Sequence, residues 1–251
     1  MELTIERILP GGFGLAHAEG KTVMVALAAG GDRLRVQVDR EKGNVAFASI
    51  VEIIDPSPDR INPPCPYFGR CGGCDFQQMN YRAQLAAKIE IIKDCLHRIA
   101  KVEDVPDFQI TPAPNEWHYR SRAQWQYDAE RKLLGYYESG SRRVCDVAEC
   151  AVLVPTLQRQ LEELRQRMVD DSLPADARHF RAVVGDDGVA VSSGFRSPTV
   201  REGIHLNLHR SIHGERYALN AESFFQTNED LLSKLIDSAL GNAAGEFAVE
   251  L

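Results

Sequence analysis

Nowhere does the sequence reach the ~20 consecutive apolar residues that a membrane-crossing helix needs, so no span is expected. The opening MELTIERILPGG lacks the basic head and apolar core of a secretory signal, which makes a cytoplasmic protein the default. Positive charge is scarce: 29 Lys and Arg against 36 Asp and Glu leave a net charge of −7. Bulk electrostatics therefore attract no nucleic acid, and any RNA site needs a local basic patch. There is no internal repeat and no low-complexity tract. With 44% hydrophobic and 26% charged residues, the composition excludes a wholly disordered or collagen-like chain. Six cysteines in 251 residues are too few for a disulfide scaffold, and a reducing cytosol would not keep one oxidised. The length suits one or two domains.

What is present divides the chain. Residues 1–58 read as all-β: Thr22–Val25, Leu34–Val38 and Val45–Ile54 are β-rich runs, separated by Gly11-Gly12-Phe13-Gly14, Ala29-Gly30-Gly31-Asp32 and Glu41-Lys42-Gly43-Asn44. Short strands with glycine turns predict a small OB-like barrel, closed off by Asp55-Pro56-Ser57-Pro58. Gly11–Gly14 lacks the strand before it and the helix after it that a phosphate loop needs, so it reads as a barrel turn.

Residues 59–245 form a second, mixed α/β region. Its first part, 59–81, is a Pro-, Gly- and Cys-rich loop. A helix over 82–101 follows, with Leu85, Ile89, Ile92, Leu96 and Ile99 as its apolar stripe. From Tyr119 to Asp128 the residues alternate. Trp125 and Tyr127 fall on the buried face, which favours core packing, and Arg120 and Arg122 fall on the polar one. A helix begins at Pro155 with Leu157, Leu161, Leu164 and Met168 as its stripe. Hairpins turn at Asp187-Gly188 and His213-Gly214, the latter between 204–208 and 216–219, and Asn228 caps a last helix through Leu240. Phe247–Leu251 begins a strand, and 246–251 reads as the start of a further domain. The histidines show no ligand spacing; His205 and His209 share a solvated strand face.

The cysteines carry the strongest signal. Cys65, Cys71 and Cys74 lie within ten residues, and Gly72 and Gly73 allow left-handed backbone that lets sulfurs converge. Soft metals and iron–sulfur clusters take such thiolates, normally four. Cys95, Cys145 and Cys150 are the candidates for the fourth; Cys95 lies beside the helical stripe and reads as a small buried hydrophobe. A zinc ribbon would prefer two Cys-x-x-Cys pairs.

These residues resemble a known family. Cys65-x5-Cys71-Gly-Gly-Cys74-Asp-Phe-Gln77, after a barrel ending in Ser57-Pro58-Asp59-Arg60, is similar to the RNA uracil-5-methyltransferases. The nearer branch carries an N-terminal TRAM domain and a 4Fe–4S cluster, and its best-known members act on 23S rRNA. Tyr119-Arg120-Ser121-Arg122, Leu134-Gly135-Tyr136-Tyr137, Glu149–Leu153 and Ser223-Phe224-Phe225-Gln226-Thr227-Asn228 match the family's stretches in order. Gln78 and Arg142 stand where the family often has histidine.

The resemblance implies an α+β chain with a TRAM barrel and an iron–sulfur domain, the Rossmann-like methyltransferase domain being missing after residue 251. It implies Cys65, Cys71, Cys74 and Cys150, rather than Cys145, as cluster ligands. It gives Gln226 to S-adenosylmethionine and Arg120 and Arg122 to RNA phosphate. It implies 23S rRNA as the substrate of a cytoplasmic, monomeric protein. In the family a cysteine adds to uracil C6, C5 takes the methyl group and a base removes the C5 proton. The nucleophile and the base are expected to be absent from this chain, which would leave it inactive by itself. A stand-alone iron–sulfur RNA-binding module and a redox protein are the alternatives.

Overall fold

The computed structural model describes residues 1–195 and 208–241. The expected strand at 247–251, the 204–207 part of a hairpin arm and His205 lie outside them. The chain divides into two compact units. Unit 1 is Met1–Pro112 with Tyr137–Arg142; unit 2 is Ala113–Tyr136 with Arg143–Leu251. The boundary placed at residue 58 from sequence falls within unit 1.

Unit 1 is built on a six-stranded sheet: β1 (Glu2–Thr4), β2 (Arg7–Ile8), β3 (Gly14–Ala18), β4 (Lys21–Val25), β5 (Arg33–Lys42) and β6 (Val45–Asp55), in the order β1-β5-β6-β4-β3-β2. All pairs are antiparallel except β4 with β6. Because β1 and β2 are successive pieces of one stretch, they join the two edges. Between them the Ile5 N–H donates to the Asp32 carbonyl and the Glu6 N–H to the Leu15 carbonyl. The edges therefore close on each other, leaving no open ladder. Ile5, Val23, Val25, Ala28, Leu34 and Ala46 fill the interior.

A buried ion pair locks the end of this sheet. Asp32 is fully buried, and its carboxylate accepts from the Ala29 and Ser57 N–H groups at 2.6 and 2.9 Å. Arg60 reaches it with Nη2 at 2.6 Å and Nε at 3.0 Å. Helix α1 (Tyr81–Arg98) is capped by Asn80, whose side chain accepts from the Ala83 N–H at 2.9 Å. Of the stripe read from sequence, Leu85, Ile89 and Leu96 are half-buried. Ile92 and Ile99 are exposed, no residue of α1 is fully buried, and Ala83 and Ala87 pack on the sheet's core. Small residues there let the helix approach closely, and Asp94 adds an ion pair to Arg7 at 2.7 Å.

Unit 2 carries a five-stranded sheet in the order β11-β10-β7-β8-β9. The strands are β7 (Arg122–Asp128), β8 (Leu133–Tyr137), β9 (Val144–Asp146), β10 (Ala177–Gly185) and β11 (Gly188–Phe195). Helix α2 (Pro155–Val169) starts on its proline and buries Leu157, Leu161, Leu164 and Met168, the stripe read from sequence. These leucines pack with Trp125, Leu134, Phe180 and Ala182 of the sheet. Arg165 of α2 forks onto Asp146 at 2.6 and 2.9 Å. The hairpin of β12 (Leu208–Ile212) and β13 (Glu215–Leu219) turns at His213-Gly214, both with positive φ (52° and 83°), as a type I′ turn requires. Asn228 caps a 3-10 turn at Glu229–Leu231, which runs on into α3 (Leu232–Leu240).

Candidate functional site

Three cysteines of the cluster motif lie in the loop between β6 and α1. The neck of that loop is a short ladder. Arg60 pairs with Met79, the Ile61 N–H donates to the Gln78 carbonyl at 2.9 Å, and the Asn80 N–H donates to the Asp59 carbonyl at 2.9 Å. Met79 is buried in the sheet's core and Phe76 packs on it. Gly12 lies against the loop, where an added Cβ would sit 2.2 Å from the Asp75 carbonyl oxygen. This is why the Gly11–Gly14 turn carries glycine: close approach together with a φ of +75°.

The tip turns through Cys71, whose N–H donates to the Tyr67 carbonyl at 2.8 Å, and pairs with residues 137–139. Gly72 and Gly73 do not take left-handed backbone as the sequence suggested. Gly69 does, with φ +86°, and Gly72 serves close approach instead, an added Cβ falling 3.1 Å from the Tyr137 carbonyl oxygen. Cys65, Cys71 and Cys74 are all half-buried.

The fourth candidate lies in unit 2. Cys150 sits in the turn before α2. Its N–H donates to Gln158 Oε1 at 3.1 Å, and its carbonyl accepts from the Leu153 N–H at 3.1 Å. Gln158 also donates to the Ala148 carbonyl, so one α2 side chain fixes the whole turn. Cys145 differs: it is wholly buried in β9, with its carbonyl against Gly135. Next to Cys150 are Tyr136 and Trp125. Burial pushes the Tyr136 phenol far up from its ordinary range; Cys150 raises it further, while Arg120 and Trp125 oppose the rise. The Tyr136 hydroxyl and Trp125 Nε1 are buried without a hydrogen bond of ordinary geometry.

Among the described residues, no three His, Cys, Asp or Glu side chains are gathered as a metal site. The donor chemistry nevertheless fits a thiolate-held cluster. Cys65, Cys71 and Cys74 on one loop are soft ligands of the right type.

A second feature is the loop 220–228, which carries Gln226. The Asn220 side chain accepts from the Glu222 and Ser223 N–H groups at 2.8 Å each. Arg122 donates to the Asn220 and Ala221 carbonyls at 3.2 and 2.7 Å. At the other end Ser121 donates to the Thr227 carbonyl with both N–H and Oγ, at 2.8 and 3.0 Å, and Arg120 pairs with Asn228. Phe225 packs inward on Val183, Ala190 and Leu219, while Gln226 is exposed.

Residues 120–122 are thus a clamp on both ends of the Gln226 loop. Arg120 Nε donates to the Arg122 carbonyl at 3.0 Å. Burial lowers the Arg122 guanidinium below its ordinary range, with Arg181 adding to the effect. Trp125 and Tyr127 belong to the core; Tyr127 meets Phe180 at a 5.7 Å ring separation. Sequence reasoning missed Tyr136, Gln158 and Ser121 as supports. Tyr136 lay within a matched stretch, whereas Gln158 carries no sequence signal.

No protein-family model matches the chain. Its fold is shared with the crystal structure of a tRNA (uracil-54, C5)-methyltransferase from Pyrococcus abyssi in complex with S-adenosyl-L-homocysteine. The TM-score is 0.71 at 20% identity, covering 97% of this chain and 66% of that one. In sequence the chain is similar to RNA methyltransferases. It is 29% identical over 280 residues to an uncharacterized RNA methyltransferase of Aquifex aeolicus, spanning 94% of this chain and 64% of that protein. It is 34% identical over 191 residues to the 23S rRNA (uracil(1939)-C(5))-methyltransferase RlmD of Methylococcus capsulatus, spanning 74% of this chain and 43% of that protein. The chain therefore spans less than two thirds of the length of these relatives.

The expectation of a missing Rossmann-like methyltransferase domain is overturned. The chain shares a methyltransferase fold along 97% of its length and aligns with RNA methyltransferases over 94% and 96% of it. The pattern at 246–251, on which that expectation rested, lies outside the described residues. Among the described residues no helix is long and apolar enough to cross a membrane.

Proposed function

We propose that the protein is an S-adenosylmethionine-dependent RNA uracil-C5 methyltransferase of the RlmD kind, acting on 23S rRNA. The observation that carries this is the similarity to RNA methyltransferases along 94% of the chain, joined to the fold shared with a uracil-C5 methyltransferase. S-adenosylmethionine supplies the methyl group. Gln226 contacts it: an exposed neutral amide can both donate and accept, and its loop is held at both ends. Arg120 and Arg122 act on RNA chiefly by holding that loop, with their remaining N–H groups available to phosphate.

Cys65, Cys71, Cys74 and Cys150 hold a 4Fe–4S cluster. The thiolate chemistry of these residues and the close spacing of three of them on one loop support this assignment. These four thiolates would hold the cluster, and uracil methylation would need no electrons from it. The TRAM-like barrel at 1–58 completes the RNA-binding part.

The reaction is tested by deleting the gene and mapping 5-methyluridine in 23S rRNA and tRNA by mass spectrometry. Loss of one 23S rRNA 5-methyluridine is expected. Loss from tRNA alone moves the substrate to tRNA, and unchanged RNA of both kinds overturns the proposal. The ligand set is tested by iron analysis after anaerobic reconstitution. Cys150→Ala should lose iron that Cys145→Ala keeps, and the reverse result refutes the assignment.

A further inference from the structure

The face of the unit 2 sheet that looks away from α2 carries a polar array. Ala123, Trp125, Phe180 and Ala182 point into the core shared with α2. Alternation sends Arg122, Gln124 and Gln126 of β7, and His179 and Arg181 of β10, to the opposite face. The register lines them up in rows across three strands: Gln124 beside Arg181 and Ser192, and Gln126 beside His179 and Gly194. A bulge between Ala177 and His179 adds Arg178, which is exposed and close enough for its charge to act on His179. The His179 ring lies against the main chain of Gly194, where an added Cβ would fall 2.1 Å from the ring carbon Cε1. Glycine at that position lets the ring lie down on the neighbouring strand. Burial lowers the imidazole below its ordinary range; Arg181 and Arg178 add to this, and Glu222 opposes it. At neutral pH the ring is therefore uncharged, with one donor and one acceptor nitrogen. Among the described residues none of the three arginines on this face is ion-paired. Arg181 Nε donates to Gln124 Oε1 at 3.0 Å, and Arg122 serves the Asn220 and Ala221 carbonyls.

We propose that this sheet face is a platform for an unpaired segment of the RNA substrate: a base stacks on His179, Gln124 and Gln126 hydrogen-bond base edges, and Arg178 and Arg181 hold the flanking phosphates. This rests on the RNA reading above and deepens it. Charge complementarity selects the occupant. In a chain of net charge −7, three arginines are gathered here without carboxylate partners, whereas Arg7, Lys21 and Arg35 of unit 1 are each paired with one. A planar ring, amides and guanidinium groups side by side are the set by which proteins recognise unpaired bases, through stacking and edge hydrogen bonds. A duplex hides the faces that the ring would stack on. The platform is also continuous with the loop that carries Gln226, because Arg122 belongs to the same face and holds two carbonyls of that loop. A uridine placed at Gln226 therefore has its chain neighbours over this sheet. The three residues 178, 179 and 181 bind and position RNA, and none of them takes part in methyl transfer.

The test uses the full chain and fluorescence anisotropy with a labelled single-stranded oligouridine, over a series of salt concentrations, with a duplex RNA of equal length alongside. Wild type should bind the single strand and prefer it to the duplex. His179→Ala should weaken that binding about fivefold or more at every salt concentration, the cost of losing one stacked base, while His179→Phe should keep it. Arg178→Gln and Arg181→Gln should each lower the salt slope by about 0.7, one phosphate contact on a single strand. Arg159→Gln, in α2 on the other side of the sheet, should match wild type. Melting midpoints are read for every variant; where His179→Ala fails to fold, the salt slope of Arg178→Gln, at an exposed position, decides. A wild type that binds neither RNA overturns the RNA reading and the platform with it. Wild-type affinity and slope in folded variants of residues 178, 179 and 181 refute the platform alone, and equal binding of the duplex refutes the stacking. Polyglutamate that binds wild type more tightly than the RNA does, and loses affinity in the same variants, gives the face to an acidic protein instead.

Discussion

Replacing Arg60 by alanine tests whether the Asp32–Arg60 pair is the lock of the unit 1 sheet. Asp32 has no solvent exposure at its side chain and Arg60 has 15%, so solvent screens the pair little. Arg60 supplies Nη2 at 2.6 Å and Nε at 3.0 Å to the carboxylate, and its Nη2 also serves the Leu27 carbonyl at 2.8 Å. Its removal leaves a buried carboxylate with only the Ala29 and Ser57 N–H groups of its described partners. Breaking a buried ion pair from one side costs about 3–5 kcal/mol. The two surviving amide bonds place this site near the lower end, about 3 kcal/mol, or about 10 °C in the melting midpoint for a chain of this size. Thermal and urea unfolding followed by circular dichroism measure it. Arg35→Ala removes an exposed arginine paired with Glu2 and Glu52 and should leave the midpoint unmoved. An Arg60→Ala variant within about 1 kcal/mol of wild type would place the pair with ordinary surface pairs and refute the lock.

Three further outcomes are expected. Asp94 is held down to about 2 by hydrogen bonds from Arg98 and Arg7, so its contribution is full above the ordinary carboxylate value of 3.8 and is lost as the pH falls through about 2. The unfolding midpoints of wild type and Asp94→Asn should therefore differ at pH 5 and converge near pH 2, and a gap that persists at pH 2 contradicts the linkage. Gly135→Ala puts a methyl group 2.1 Å from the Cys145 carbonyl oxygen and should displace β9 from β8, read as lost amide-exchange protection at 144–147. Arg122→Ala should speed amide exchange across 220–228 while β10 stays protected; unchanged exchange in that loop would rule out the clamp.

The sequence was most legible where one local rule governs. The α2 stripe of Leu157, Leu161, Leu164 and Met168 is buried as its spacing required, because one face of that helix meets one sheet. The His213-Gly214 hairpin followed from turn chemistry, and the core placement of Trp125 and Tyr127 from strand alternation. Tertiary context overrode such rules elsewhere. In α1 the large apolar residues recur at helical spacing, yet the approach to the sheet is made by Ala83 and Ala87, which a search for bulky residues passes over. Gly72 and Gly73 were read for backbone freedom, but Gly72 is needed because the Tyr137 carbonyl comes close from 65 residues away. Periodicity carries no information about such long-range approaches.

Arg120 and Arg122 show the same limit at the candidate site. From sequence they are two cations on a polar strand face, the natural partners of RNA phosphate. In the fold Arg122 is drawn into half-buried surroundings by the Asn220 and Ala221 carbonyls, and the cost of desolvating it is offset by two main-chain acceptors. Unit 1 treats several of its cations alike: Arg7 is paired with Asp94, Lys21 with Glu41, Arg35 with Glu2 and Glu52, and Arg70 with Glu138. A chain of net charge −7 that commits these cations to its own carboxylates has fewer of them left to release counterions from an RNA backbone. Hydrogen bonds and stacking on unpaired bases would then add to affinity for the proposed RNA substrate, contacts that single-stranded loops expose and regular duplexes hide. That exposure agrees with chemistry at uracil C5, since a base must leave its stack before a methyl group can reach it.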